Sequence, residues 1–419
     1  MVRGLFLFSN DSRLHDNPAL HSAVQQCGTL LCVAGKWLSP QYLTPYDRPV
    51  VFGKNREYFF RQALKALYDS LAEVEHPLLC LESINMQSVS ELIHRFGITH
   101  VFRSEHAGFN ENAVWQSIAA NHPNLEFQTV ASHTLFDRSN LPFEIDDLPA
   151  SFSKFRSKVE GLPIPNPMPD IEELPDSPLH SQEIRAPNAC GQATMFKGGE
   201  YEALLHLNHY FSGSFPLSYK QTRNDLDGWD YSTKFSPWLA SGCLSARTIV
   251  ERLKQFEIKF GRNESTEWIL FELLWREYFQ WYAHHHGDAL FTFEGIKQQR
   301  PNTLYNPSSL TSWKNGETPY PIINACMNQL KETGFLSNRG RQLVASCLVN
   351  ELGLDWRYGA LHFESLLVDY DVASNWGNWQ YLAGVGADPR PKRHFNIEKQ
   401  TQMYDPDNLY TNRWLGDSQ

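Results

Sequence analysis

The sequence predicts an α/β unit with a parallel, Rossmann-like sheet, followed by an all-α unit. Three observations carry this expectation. Short β-rich runs alternate with helix-like segments over the first 130 residues. Seven prolines then fall between residues 161 and 187. From about residue 198 the apolar positions recur at helical spacing almost to the end. At 419 residues the chain is also too long for one ordinary core, so two domains are expected.

The β-rich runs are VRGLFLF (2–8), TLLCVAG (29–35), PLLCLES (77–83), THVFRS (99–104) and LEFQTV (125–130). Between them lie helix-like segments such as GKNREYFFRQALKALYDSLAEVE (53–75). Strands alternating with helices imply a parallel sheet covered on both faces. The loop after the first run, SNDSRLHDNP, has no G-x-G-x-x-G, so the standard dinucleotide fingerprint is absent. Residues 1–130 are expected to form the α/β domain, 131–197 an interdomain linker and 198–419 the helical domain. Proline removes amide donors and fixes φ, so the linker should run extended over the surface. Helices are expected at YEALLHLNHYF (201–211), LSARTIVERLKQF (244–256), ESTEWILFELLWREYFQWYAHHH (264–286), YPIINACMNQLKETG (320–334) and GRQLVASCLVNELG (340–353).

Composition narrows the function. Hydrophobic residues make up 42% and charged residues 20%, the profile of a globular protein. No apolar run approaches the roughly 18 residues that a membrane span needs. The apolar run Gly4 to Phe8 is too short for a secretory signal. Seven cysteines without a C-x-x-C pair read as reduced thiols in a cytoplasmic protein, with no zinc site. The net charge of −10 argues against a general nucleic-acid binder. A local basic patch can still act against an acidic background. RPKRH (390–394), together with Arg339, is such a patch or a solvated charge run.

Four stretches of the second half are chemically specific. In DYSTKFSPWLASGCLS (230–245), Ser232, Thr233, Lys234 and Ser236 gather just ahead of Pro237, a favoured first-turn residue. Hydroxyls, free amides and a cation at a helix start suit a phosphate, and they equally suit a plain N-cap. In ESTEWILFELLWREYF (264–279), Trp268, Glu272, Trp275 and Arg276 share one helical face. A Glu among aromatics needs a partner or a ligand. In GFLSNRGRQLVAS (334–346), Asn338, Arg339, Arg341 and Gln342 crowd a helix start. Arginine there opposes the helix dipole and requires an anion. DYDVASNWGNWQYLAG (369–384) sets Asp369 and Asp371 near Trp376 and Trp379, and could supply that anion.

The combination DNPAL, KFSPWLASGCLS, FELLWREYF, TPYPIINACMNQL, GFLSNRGRQLVAS, LDWRYG and DYDVASNWGNWQYLAG resembles the photolyase/cryptochrome family, and within it the DASH branch. The resemblance implies an N-terminal α/β domain and a helical domain that binds FAD. It assigns Tyr219, Arg223 and the run Ser232, Thr233, Lys234, Phe235, Ser236 to the flavin pyrophosphate and ribose. Trp268, Glu272, Asn338, Arg341, Asp369, Asp371 and Asn375 would line the flavin further, with Arg341 and Asp369 paired beside the ring. Asn375 would face flavin N5. An amide cannot release a proton there, which suits a fully reduced, anionic flavin.

The resemblance also implies electron transfer through Trp379 and Trp356. The family's outermost Trp, about ten residues before the position of Trp313, is Thr303 in this chain, with Tyr305 close by. Trp376 is expected to be packing. A flipped cyclobutane pyrimidine dimer would meet Glu272, Trp275, Asn338 and Arg339. Gln342 and Tyr381 stand where duplex-repairing relatives carry Met and a second Trp, which points to repair in single-stranded DNA. Glu105 would contact a methenyltetrahydrofolate antenna. The implied activity is blue-light-driven dimer repair, with a blue-light photoreceptor as the alternative. The implied partner is single-stranded DNA, with RNA as a further candidate, and a monomer is expected.

Overall fold

The computed structural model describes residues 1–38, 43, 45, 50–180, 184–189, 191, 195–388 and 393–416. The N-terminal half runs β1 (Arg3–Leu7), α1 (Pro18–Gln26), β2 (Thr29–Trp37), α2 (Lys54–Glu73), β3 (Leu78–Ile84), α3 (Met86–Phe96), β4 (His100–Ser104), α4 (Phe109–Asn121) and β5 (Glu126–Val130). All strand pairs are parallel, in the order β3-β2-β1-β4-β5. Each expected β-rich run contains or overlaps one of these strands. Alternation along β1 divides two apolar layers. Phe6 packs with Leu20 and Leu71 on one face, and Leu5 and Leu7 pack with Ile93 and Ile118 on the other.

The proline-rich segment is irregular, and it is pinned to the α/β unit. Ile171 is buried, and the Asp176 carbonyl accepts from Leu30 N at 3.0 Å. Just before it lies a short helix absent from the sequence expectation, α5 (Phe152–Val159).

The second half is helical throughout. It comprises α6 (Glu200–Ser212), α7 (Phe215–Thr222), α8 (Ser236–Ser241), α9 (Ala246–Phe260), α10 (Glu264–His286), α11 (Pro307–Asn315), α12 (Pro321–Thr333), α13 (Asn338–Ser346), α14 (Trp356–Leu366), α15 (Val372–Ala383), α16 (Ile397–Tyr404) and α17 (Leu409–Leu415). The expected helix over 340–353 is not one α-helix. It widens after Ser346 into a π-helical turn, Cys347–Glu351. The chain then swings so that Leu354 bridges to Leu304.

The β1–α1 loop, unremarkable in sequence, joins the halves. Arg13 is 1% exposed. Its guanidinium donates to the carbonyls of His15 (3.0 Å), Gly242 (2.8 Å), Asp16 (2.8 Å) and Ser132 (2.6 Å). Glu200 at the start of α6 accepts from the amides of Leu14 and His15, each at 2.9 Å. Gly242 has φ +71°, and a Cβ there would lie 1.8 Å from the Asn10 carbonyl oxygen. Only glycine lets the two backbones approach this closely.

Replacing Arg13 with Met strands four carbonyls at this seam. Each unsatisfied buried group costs about 1–3 kcal/mol, so Arg13→Met should lose at least about 3 kcal/mol of stability. The shift of the urea midpoint at constant slope measures it.

Candidate functional site

A cavity of about 280 Å³ opens in the helical half. Its walls come from the end of α7, the segment 232–236, α10, α13, α14, the segment 367–371 and α15. A second chamber of about 340 Å³ continues outward from it. The two share Arg223, Glu272, Asn338, Gln342, Ser374 and Asn378.

The anion that Arg341 requires is Asp369. Nη2 meets Asp369 Oδ2 at 2.7 Å, and Nε donates to the Leu336 carbonyl at 2.8 Å. The other oxygen, Asp369 Oδ1, is buried with no protein partner. Asp371 is solved differently. It caps α15 by accepting from Ser374 N at 2.7 Å, and Gln280 Nε2 reaches its two oxygens at 2.9 and 3.0 Å. The role of Gln280 was missed. Glu272, Arg276 and Gln280 are spaced four apart, so continuing the face read on α10 would have found it.

Glu272 accepts from Arg223 Nη1 at 2.6 Å and from the Trp268 indole at 3.1 Å. Burial raises its carboxyl above the usual range, while Arg223 and Trp268 pull it down. Trp268 therefore acts through Glu272. It lines a neighbouring cleft, with Lys220 and Arg223 over its ring, rather than the main cavity expected for it.

Tyr219, Ser232, Thr233, Lys234 and Ser236 line the cavity, and Phe235 lines an adjoining chamber. Lys234 is buried and holds φ +51°, an uncommon conformation for a residue with a Cβ. Its ammonium donates to the Gly228 carbonyl at 3.0 Å and the Ser232 hydroxyl at 2.8 Å. Burial lowers its pKa to about 8. Asn375 donates from Nδ2 to the Ala360 carbonyl at 3.1 Å, which leaves Oδ1 as its accepting end.

In the outer chamber, Trp275 stacks on Phe152 at 3.8 Å and meets Tyr381 edge-on at 5.8 Å. Phe152, on the unexpected α5, thus covers one indole face. Arg339 is held by Asn224 (3.3 Å), Gln400 (3.4 Å) and the ring of Tyr404 (4.7 Å). Of the RPKRH patch, residues 390–392 lie outside the described residues. Arg393 is not a free surface charge. It pairs with Asp388, bonds the Tyr381 hydroxyl and lies 4.2 Å from that ring.

Trp379 lines the cavity, in ring contact with Phe363 (5.1 Å) and Trp313 (6.3 Å). A Cβ on Gly359 would strike this indole at 2.3 Å. Trp356 is fully buried and meets Trp376 at 5.7 Å. Near Thr303, the half-exposed Tyr305 stacks on Tyr358 at 4.6 Å. Glu105 is paired with Arg138 at 2.5 Å.

Family models match on both sides of the seam: DNA photolyase over residues 4–172, and the FAD binding domain of DNA photolyase over 268–418. Cryptochrome DASH of Vibrio parahaemolyticus is 47% identical over 99% of this chain and 93% of its own length. The Idiomarina loihiensis protein of the same name is 48% identical with the same coverage. The chain belongs to the DASH branch of the photolyase/cryptochrome family. The crystal structure of a Synechocystis cryptochrome superimposes with a TM-score of 0.92 at 37% identity, covering 99% of this chain and 89% of that one.

Membership places this chain within the light-driven flavin chemistry of photolyases and cryptochromes, repair or photoreception. Its matched domain binds FAD. The cavity fits that group. Asp369 Oδ1 is a buried acceptor awaiting a donor, Asn375 keeps an acceptor, and Ser232, Thr233, Lys234 and Ser236 supply donors on one wall.

Were Lys234 to meet the FAD pyrophosphate, binding would depend on pH. A pyrophosphate beside it favours the ammonium, so binding takes up a proton once the free group deprotonates. FAD affinity should fall as pH rises through about 8, and Lys234→Met should flatten that dependence in a flavin-fluorescence titration. The apoprotein responds in the opposite sense. Its folded state binds fewer protons than the unfolded chain between about 8 and 10.5, so stability rises with pH across that window.

Proposed function

We propose that this protein uses blue light and reduced FAD to split cyclobutane pyrimidine dimers in single-stranded DNA. The observation that carries the reading is the continuity of the two chambers at Glu272 and Asn338. A base flipped into the outer chamber meets those side chains on one side, while a flavin in the inner one meets them on the other. Bound reduced FAD supplies the electron that breaks the dimer on excitation.

The protein's part is binding and placement. Glu272 accepts from the pyrimidine N–H, with Arg223 and Trp268 fixing its orientation. Trp275, backed by Phe152, stacks on the base. Asn338 bonds the dimer, and Arg339 meets a flanking phosphate. Asn375, anchored to Ala360, turns its carbonyl toward a flavin N–H and so favours the reduced form. Trp379 and Trp356 return electrons when oxidised flavin must be reduced by light.

The single-strand preference follows from magnitudes. Flipping from a duplex costs a few kcal/mol, and little from a single strand. Base stacking on an aromatic returns about 1–3 kcal/mol. With Gln342 and Tyr381 in place of Met and Trp, the return is smaller. Glu105, paired with Arg138, is the proposed contact of a methenyltetrahydrofolate antenna.

Illumination of reduced protein with a dimer-containing oligothymidylate should remove dimers only in light. At matched salt the rate should exceed that on duplex by about tenfold, the ratio for 1.4 kcal/mol. Equal rates overturn the single-strand preference. Photoreduction without any dimer loss supports the photoreceptor reading instead. Trp379→Phe should abolish bleaching of the oxidised flavin band by light and thiol while leaving dark FAD binding intact.

A further inference from the structure

Trp376, expected to be a packing residue, has an unusual partner at its N–H. The indole is fully buried, edge-on to Trp356 at 5.7 Å and close to Phe291 at 4.7 Å. Its N–H faces Glu364 Oε2 and the Tyr370 hydroxyl, each at 3.3 Å. Tyr370 lines the flavin cavity.

The acceptor distinguishes this indole. Trp37, Trp238, Trp313 and Trp356 donate to neutral backbone carbonyls. Trp268 and Trp281, like Trp376, donate to carboxylates. Of these three, among the described residues, only Trp376 also touches another indole. A packing indole needs no base at its N–H. An oxidised indole does, because loss of an electron makes the N–H strongly acidic.

We propose that Trp376 is a redox residue of the photoreductive system and that Glu364 is its proton acceptor, an inference that rests on the flavin reading above. An electron leaves the Trp376 ring for photoexcited oxidised flavin by way of Trp356, the indole it meets at 5.7 Å. The indole N–H bond then breaks, its electron pair stays on nitrogen, and the proton passes to the Glu364 carboxylate. A neutral indolyl radical and a carboxylic acid result. A thiol later returns one electron to Trp376 while Glu364 returns the proton, and the thiol leaves as a thiyl radical and a proton.

The surroundings suit a carboxylate that can take up a proton. Burial raises the Glu364 carboxyl, and Arg56 on α2 with the Tyr370 hydroxyl oppose that rise. Glu111 on α4 is the further charge that raises it. Arg56 also lies over the rings of Phe52 and Tyr370, at 3.7 and 4.4 Å. With Thr303 at the family's outer Trp position, proton loss at Trp376 is an internal way to stop the electron returning.

Flash photolysis of the FAD-loaded protein without thiol tests this, since it reads whether the indole radical is protonated. Wild type should pass from the radical cation to the neutral radical. Glu364→Gln keeps size and accepting oxygen, and should slow that conversion by about 100-fold, the lower range for loss of a general base. Glu364→Asp should restore it in part, and Trp376→Phe should remove the neutral-radical signal. Retained FAD absorbance shows that each variant folds. If wild type forms the radicals and Glu364→Gln leaves their spectra and lifetimes unchanged, this proposal alone falls. If FAD-loaded wild type forms no indole radical in light, the photoreductive reading falls with it.

Discussion

A buried guanidinium sits at the centre of the contacts that hold the two halves in register. Among the described residues Arg13 bonds no carboxylate, only carbonyls drawn from its own loop, from Ser132 and from Gly242. A buried charge served by dipoles tolerates little displacement, because each donor must keep its acceptor. The consequence reaches the cavity. Gly242 ends α8, which begins at Ser236 on the cavity wall, and Ser245 of the next helix bonds Asp16. The α/β half therefore fixes the position of a flavin-side segment that it does not itself contain.

Inside the cavity the same problem recurs with carboxylates, and each is solved by a different neighbour. Asp369 takes Arg341, Asp371 takes a helix start and Gln280, and Glu272 takes Arg223 and an indole. Two of the three are charge pairs, which are tolerable under burial only when the remaining lone pairs are met. Asp369 Oδ1 is the exception, and it lies where FAD is expected. An isolated buried acceptor costs free energy in the apoprotein and becomes a contact in the holoprotein. The cavity is thus built for its cofactor and is less satisfied without it.

Periodicity exposed the parallel sheet, the helical half and the face of α10 bearing Glu272, because those patterns are local. The Arg at the start of α13 announced a missing anion, and Asp369 answers it for the same reason: an unpaired charge is visible in one stretch. What stayed hidden depends on contacts across the chain. Phe152 stacking on Trp275 joins residues 123 positions apart on helices whose pairing no local pattern reveals. Nothing in SNDSRLHDNP tells of the carbonyls at 132 and 242 that Arg13 meets. Trp376 looked like filler because its carboxylate lies twelve residues upstream on another helix.

The acidic net charge and a DNA partner are reconciled at the mouth of the outer chamber. Four arginines stand there: Arg223, Arg276, Arg339 and Arg393. Arg223 is neutralised by Glu272 and Arg393 by Asp388. Arg276 donates to the His133 carbonyl, and Arg339 to two amide oxygens beside an aromatic ring. Neutral acceptors orient these two guanidiniums without cancelling them. Among the described residues at this mouth, Arg276 and Arg339 therefore keep their full charge for phosphate. Each phosphate so neutralised on a single strand contributes about 0.7 to the salt slope of binding. Two such contacts make a shallow slope. The Tyr381 hydroxyl matters here too. By bonding Arg393 it ties a third guanidinium to the chamber wall, a bond that an indole could not accept.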